Sequence, residues 1–374
     1  MKPYFLVLLL MFGGMHSSLA QTNKPWSGFG IEVNASMGKM IRHTPKFPKQ
    51  LPNVVTNYEL NFIQQTYGRK AWQQRRKFPV VGFAVGYTDY GIDSIYGKCI
   101  SLYPNLQIPI IKSDKIEWTI RAGFGIAYMT KYFRRYPSFD TVNTAIGGAL
   151  NNFTHFTTDL RYRINQNLDI QLGANFYHVS NASFKIPNLG INTYGAHVGF
   201  RYFPTTSTPE NIERRLKPLK NRWLAQARLG YTTRQYTAAD GPDYPIYMLT
   251  LYASKRYWSK NKLLLGADYT FHSEVYQFLK NNEIEVGKEK DNSWRASLFV
   301  GNEFLVGRVG IIFQLGYYIK NVYITEDSFY EKLGGNFYIV QKEQGVLKEL
   351  FLSTLLKTHA EKAELVEVGL GFGF

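Results

Sequence analysis

The chain has 374 residues, 45% of them hydrophobic, with 26 Phe, 27 Tyr, 6 Trp and a formal net charge of +16. That aromatic content beside only 15 Pro excludes disorder, collagen-like sequence and low complexity. Cys99 has no second cysteine to pair with, which excludes an internal disulfide and a cysteine-anchored zinc or iron–sulfur site.

Residues 1–20 read as a secretory signal peptide. Lys2 supplies the positive charge, residues 5–12 are apolar, and Ser18 and Ala20 are the small residues that a signal peptidase accepts. Cleavage is expected after Ala20, and because Gln21 rather than Cys follows, a lipoprotein anchor is not expected. Past the signal no run of about 18 apolar residues occurs, so a helical membrane span is not expected.

Strands are expected to begin near Gly28, Val54, Pro79, Gly97, Ile116, Asn151, Leu168 and Thr193 in the first half. Between the second and third lies the basic run 68–77, Gly-Arg-Lys-Ala-Trp-Gln-Gln-Arg-Arg-Lys. In isolation it looks like a nucleic-acid patch. On an exported chain it is expected to meet anionic lipid phosphates or the periplasmic surface, and no nucleic-acid partner is expected.

The strand from Ile116 sets the pattern. Ile116, Trp118, Ile120, Ala122, Phe124, Ile126 and Tyr128 share one face, and Glu117, Thr119, Arg121 and Gly123 the other. The phase returns in Leu168, Ile170, Leu172, Ala174 and Phe176 against Asp169, Gln171, Gly173 and Asn175. An aliphatic inner face would mark a soluble sandwich. Here the second face carries Gly, Arg, Asp, Gln and Asn, with Tyr and Trp at strand ends, which describes a transmembrane β-barrel with lipid outside and a polar lumen.

Continued outward, the apolar phase of the seventh strand reaches His178 and Ser180, about 7 Å apart along the strand at roughly 3.3 Å of rise per residue. With a periplasmic start, odd strands run outward, so both residues lie at the extracellular end and face the outer leaflet. The loop 181–190, Asn-Ala-Ser-Phe-Lys-Ile-Pro-Asn-Leu-Gly, follows, and Asn192 on the returning strand falls on the same face. His155 and His197, like Asp159 and Asp169, fall in lumenal phases.

The first half closes with Gly199-Phe200-Arg201-Tyr202-Phe203, an aromatic ending like Val366, Val368, Leu370, Phe372 and Phe374 at the end of the chain. Residues 205–221 read as a polar, basic linker with Pro209, Pro218 and an amphipathic stretch at 210–216. Further strands are expected near Arg222, Tyr244, Lys262, Ser293, Arg308, Asn336, Lys348 and Ala363, with weak turn signals at 326–335 and 341–349. Phe271-His272-Ser273-Glu274 is set aside as a catalytic site, because His272 and Ser273 are adjacent in a strand and point apart. No Gly-rich phosphate loop opens a helix, and no His or carboxylate cluster has metal spacing, so neither a metal nor another cofactor is expected.

The pattern His178-x-Ser180-Asn181-Ala182, then Pro187-Asn188-x-Gly190 and the strand ending Gly-Phe-Arg-Tyr-Phe, resembles the outer-membrane lipid A 3-O-deacylase family, PagL. The motif spans 176–202, with a looser likeness over 28–203. The resemblance implies an eight-stranded barrel in the bacterial outer membrane whose substrate is the lipid A of lipopolysaccharide. It implies Ser180 as nucleophile, His178 as general base, and Asn181 with nearby loop N–H groups as oxyanion donors. The family's third member is a glutamate where this chain has Asn192. An asparagine orients an imidazole but brings no charge to offset the imidazolium. Lys185 in the loop is a candidate ligand for the lipid A phosphates.

The expected fold is therefore an antiparallel transmembrane β-barrel of about 14 to 16 strands. It divides into a signal peptide (1–20), a PagL-like eight-stranded unit (21–204), a linker (205–221) and a C-terminal barrel half or second barrel (222–374). The barrel-assembly machinery is an expected partner. The expected function is removal of the ester-linked 3-hydroxyacyl chain at position 3 of lipid A. The alternatives are a porin or structural barrel with a degenerate motif, and an outer-membrane phospholipase.

Overall fold

In the computed structural model the alternation becomes sixteen antiparallel strands. The structure describes residues 27–374 apart from 43, 137–138, 205–209, 217–218, 220, 236–238, 240, 324–326 and 361. The expected signal peptide and much of the linker lie outside the described residues. The stretch 210–216, amphipathic in sequence, has no regular secondary structure.

The first eight strands are β1 (Phe29–Ile41), β2 (Val55–Gln65), β3 (Val80–Asp89), β4 (Lys98–Lys112), β5 (Ile116–Met129), β6 (Leu150–Arg163), β7 (Leu168–Ser180) and β8 (Ile191–Tyr202). Each pairs with the next, and β1 returns to β8 from Ile31↔Tyr202 to Ile41↔Asn192, closing a barrel. The second eight are β9 (Trp223–Gln235), β10 (Asp243–Tyr257), β11 (Asn261–His272), β12 (Trp294–Val306), β13 (Val309–Lys320), β14 (Phe329–Gln341), β15 (Glu349–His359) and β16 (Lys362–Gly373). They close separately, with β9 against β16 from Tyr231↔Val368 to Gln226↔Gly373. Of the two closures compatible with the sequence, the structure has two eight-stranded barrels rather than one large one. No helix is long and apolar enough to cross a membrane among the described residues.

Burial is inverted relative to a soluble protein. On β5 the apolar Ile116, Trp118, Ile120 and Tyr128 are exposed, while Glu117, Thr119 and Arg121 are buried. Exposed apolar surface around a buried polar interior is stable only where lipid replaces water outside. The first lumen is filled by ion pairs: Arg121 to Glu59 at 2.6 Å, Arg161 to Glu117 at 2.9 Å and Glu32 at 3.1 Å, Arg201 to Asp169 at 2.6 Å, and His197 to Asp159 at 2.6 Å. The second is filled likewise, by Arg228 with Glu367, Lys332 with Asp268 and Glu367, and Lys262 with Glu349. Each of these Arg and Lys residues answers carboxylates from at least two strands, which offsets the cost of burying the charges.

Most turns at one end are short (113–115, 164–167, 258–260, 307–308), 66–79 being the long exception, and loops at the other are long (130–149, 181–190, 273–293), the usual periplasmic and extracellular ends of such a barrel. Two helices were not anticipated. The basic run 68–77 contains α1 (Ala71–Arg75), and the outer loop after β11 opens with α2 (Ser273–Asn281). The basic run also docks onto the second barrel. Arg76 donates to the carbonyl oxygens of Leu305 and Lys260 at 3.0 and 2.6 Å and to Asn261 Oδ1 at 3.2 Å.

Candidate active site

His178 and Asn192 face each other across the β7–β8 ladder. Antiparallel register puts directly opposed side chains on the same surface, about 5 Å apart at their Cβ atoms, so hydrogen bonding needs no backbone distortion. His178 Nδ1 lies 2.6 Å from Asn192 Oδ1, and its Nε2 lies 2.8 Å from Ser180 Oγ. With a carbonyl oxygen facing Nδ1, the ring carries its proton there and leaves Nε2 as the acceptor for the serine hydroxyl.

The face these residues share starts in the lipid belt and ends under loops. Leu172 is 59% exposed, His178 partly covered, and Ser180 only 3% exposed. Gly190 lies against the pair with φ +75; a Cβ there would stand 2.6 Å from His178 Cε1 and 3.4 Å from Ser180 Cβ. The loop after β5 fixes this corner, as Ala145 O accepts the N–H groups of Leu189 and Gly190 at 3.0 Å each.

Asn181 is buried beside Ser180. Its backbone N–H donates to Asn188 Oδ1 at 2.9 Å and its Oδ1 accepts the N–H of Lys185 at 3.1 Å. Its Nδ2 is buried and makes no hydrogen bond within the protein. An amide donor held in place by its own carbonyl and left without an acceptor is suited to a developing anion.

Lys185 is the anticipated residue that lies apart from the group. Its Nζ sits 3.0 Å from Asp243 Oδ1 at the start of β10, with both side chains about one-third exposed. Asp159 and Asp169 are paired in the lumen with His197 and Arg201. His155 hydrogen bonds Tyr103 at 2.8 Å there. His272 pairs with Glu274 at 2.8 Å, while the Ser273 hydroxyl donates to the carbonyl of Pro245, so that pair is not a second site.

The sequence marked Asn188 and Gly190 only as members of the family-like pattern and gave neither a role of its own. The spacing Pro187-Asn188-x-Gly190 was the available signal, and its use is to tie down Asn181 and to admit the imidazole edge. Nothing in the sequence marked Ala145, Gln235 or Asp243, whose contacts cross between loops distant along the chain.

The family model for lipid A 3-O-deacylase (PagL) matches residues 56–201, and that for the C-terminal domain of acyloxyacyl hydrolase matches residues 221–374. Among solved structures, the outer-membrane enzyme PagL aligns at 21% identity over 45% of this chain and 97% of its own, with a TM-score of 0.33. Neisserial surface protein A aligns at 14% identity over 47% and 97%, also at 0.33. A porin mutant from Rh. blastica aligns at 8% identity over 92% and 99%, at 0.20. No curated protein matches the chain.

Proposed function

The chain belongs to the outer-membrane lipid A 3-O-deacylase family, a family of ester hydrolases, and from that membership we propose that it is a serine esterase removing the 3-hydroxyacyl chain esterified at position 3 of lipid A. The observation that carries the reading is His178 bridging Ser180 and Asn192 on the membrane side of the first barrel, at its outer end.

Ser180 Oγ attacks the ester carbonyl carbon and its proton passes to His178 Nε2. The carbonyl oxygen becomes an oxyanion, to which Asn181 Nδ2 donates. Collapse breaks the bond to the sugar oxygen, which takes the proton from Nε2 and leaves as the free 3-hydroxyl. Water then gives a proton to Nε2, attacks the acyl-serine, and releases the 3-hydroxy acid with Ser180 restored. Asn192 fixes the ring and its tautomer through both steps. It brings no charge to the imidazolium, so the expected enzyme is slow.

Ion pairs filling both lumens weigh against the porin reading. The test is the mass spectrum of lipid A from a Gram-negative host expressing the protein, beside Ser180→Ala and His178→Ala. Loss of one 3-hydroxyacyl mass with the wild type alone supports the reading. An unchanged spectrum with folded protein in the outer membrane overturns it, and cleavage of added glycerophospholipid instead would mark a phospholipase.

A further inference from the structure

We infer that the second barrel is a working part of the site in the first: its outer rim braces the loop 181–190, with Asp243 and Gln235 as positioning residues for the oxyanion donor Asn181. This rests on the esterase reading above.

Three segments of the second barrel reach the loop. Asp243, opening β10, holds Lys185 Nζ through both carboxylate oxygens, at 3.0 and 3.3 Å. Gln235, closing β9, accepts the N–H of Ile186 through Oε1 at 3.2 Å. Ala363, at the start of β16, accepts the Ser183 hydroxyl at 3.1 Å through its carbonyl oxygen. Gln235 is itself anchored, being 2% exposed and donating from Nε2 to Gly241 O at 3.1 Å.

These contacts bear on chemistry through one hydrogen bond. The N–H of Lys185 donates to Asn181 Oδ1, and that bond decides which way the Asn181 amide is turned and where its unpartnered Nδ2 points. Of the three loop residues that the second barrel holds, 185 and 186 are next to that bond, one gripped by its side chain and the other by its backbone. Displacing them releases the carbonyl that orients the donor. The periplasmic contacts of Arg76 keep the two barrels in register at the opposite end, so the outer rim arrives as a fixed wall rather than a passing neighbour.

An alternative use for Lys185, binding a lipid A phosphate, makes a different kinetic forecast. A phosphate ligand acts in ground-state binding and shows in KM. A residue that orients an oxyanion donor acts in the transition state and shows in kcat. One such donor is worth about 10²–10³ in kcat, so loosening it is expected to cost roughly tenfold or more.

The experiment uses the full-length protein folded in detergent with purified lipopolysaccharide. It compares wild type, Gln235→Ala/Asp243→Asn, and the charge exchange Lys185→Asp/Asp243→Lys, reading kcat, KM and amide hydrogen exchange across 181–190. Expected are a kcat at least tenfold lower with little change in KM and faster exchange in the loop for Gln235→Ala/Asp243→Asn, and recovery of both by the charge exchange. Unchanged kcat and exchange in the double variant overturn the proposal, as does a rise in KM alone. If the wild type itself is inactive, the esterase reading fails, and the exchange arm still decides whether the second barrel holds the loop.

Discussion

Asn192 stands directly opposite His178 across the last hairpin of the first barrel, with its carbonyl oxygen 2.6 Å from Nδ1. The bond supplies geometry and tautomer without charge. Asn192→Asp changes neither size nor shape and adds the charge that would offset the imidazolium. In a serine-protease triad the reverse change costs about 10⁴. Asn192→Asp is expected to raise kcat at least tenfold, and Asn192→Ala to lower it by releasing the ring. Initial rates of lipopolysaccharide deacylation check this; an aspartate variant no faster than wild type would show that charge at this position does not limit turnover.

Gly190 is required twice over, by its backbone at φ +75 and by the imidazole edge beside it. The left-handed conformation costs an alanine about 1–2 kcal/mol, and the new Cβ at 2.6 Å would push His178 off Ser180. A displacement of about 1 Å at a reacting group costs roughly 10² in rate. Gly190→Ala should therefore lose about two orders of magnitude in kcat while the barrel still forms. Activity together with heat-modifiable gel migration separates the two effects, and full activity in the variant would mean that the imidazole is not confined by this turn.

The lumen makes a stability forecast that leaves catalysis aside. Arg161 is buried and answers Glu32 and Glu117 together, so Arg161→Met takes the nearest cation from Glu32, leaving it Arg121 at 3.7 Å, while Glu117 keeps Arg201 at 3.2 Å. Breaking a buried ion pair from one side costs about 3–5 kcal/mol. Urea unfolding in detergent, followed by fluorescence, should show a lower midpoint for the first barrel. An unshifted midpoint would indicate that water enters the lumen freely enough to solvate Glu32.

How far the sequence revealed all this depends on the range of each interaction. Period-two alternation is local, so the onsets at Ile116 and Leu168 coincide with those in the structure and most others fall within a residue or two. The fourteenth strand is the exception, beginning at Phe329 well before Asn336. Its charged residues and Gly334-Gly335 resemble a turn, yet Lys332 points inward to Asp268 and Glu367, and Gly334 lies against the backbone of Thr354. His178, Ser180 and Asn192 were legible because one hairpin carries all three. The pairing of Lys185 with Asp243 was not, because strand phase fixes which way a residue faces but not which barrel stands beside it.

That neighbouring barrel is also held from the periplasmic side, where Arg76 fans three hydrogen bonds over Lys260 and Asn261 at the start of β11 and Leu305 near the end of β12, and Trp72 packs at Gly307. Hydrogen bonds from a charged donor contribute about 1.5–3 kcal/mol each when water is kept out, and less at this partly open surface. Arg76→Ala should leave both barrels folded, since each closes through its own ladder, while loosening the dock between them. The outer brace depends on that dock, so the effect should cross the membrane. Loop 181–190 should exchange its amides faster and kcat should fall by a few-fold, about half a log unit to one, as expected when an orienting contact is weakened rather than removed. A loop whose exchange is indifferent to Arg76→Ala would mean that the outer contacts with Gln235, Asp243 and Ala363 hold it without help from the periplasmic end.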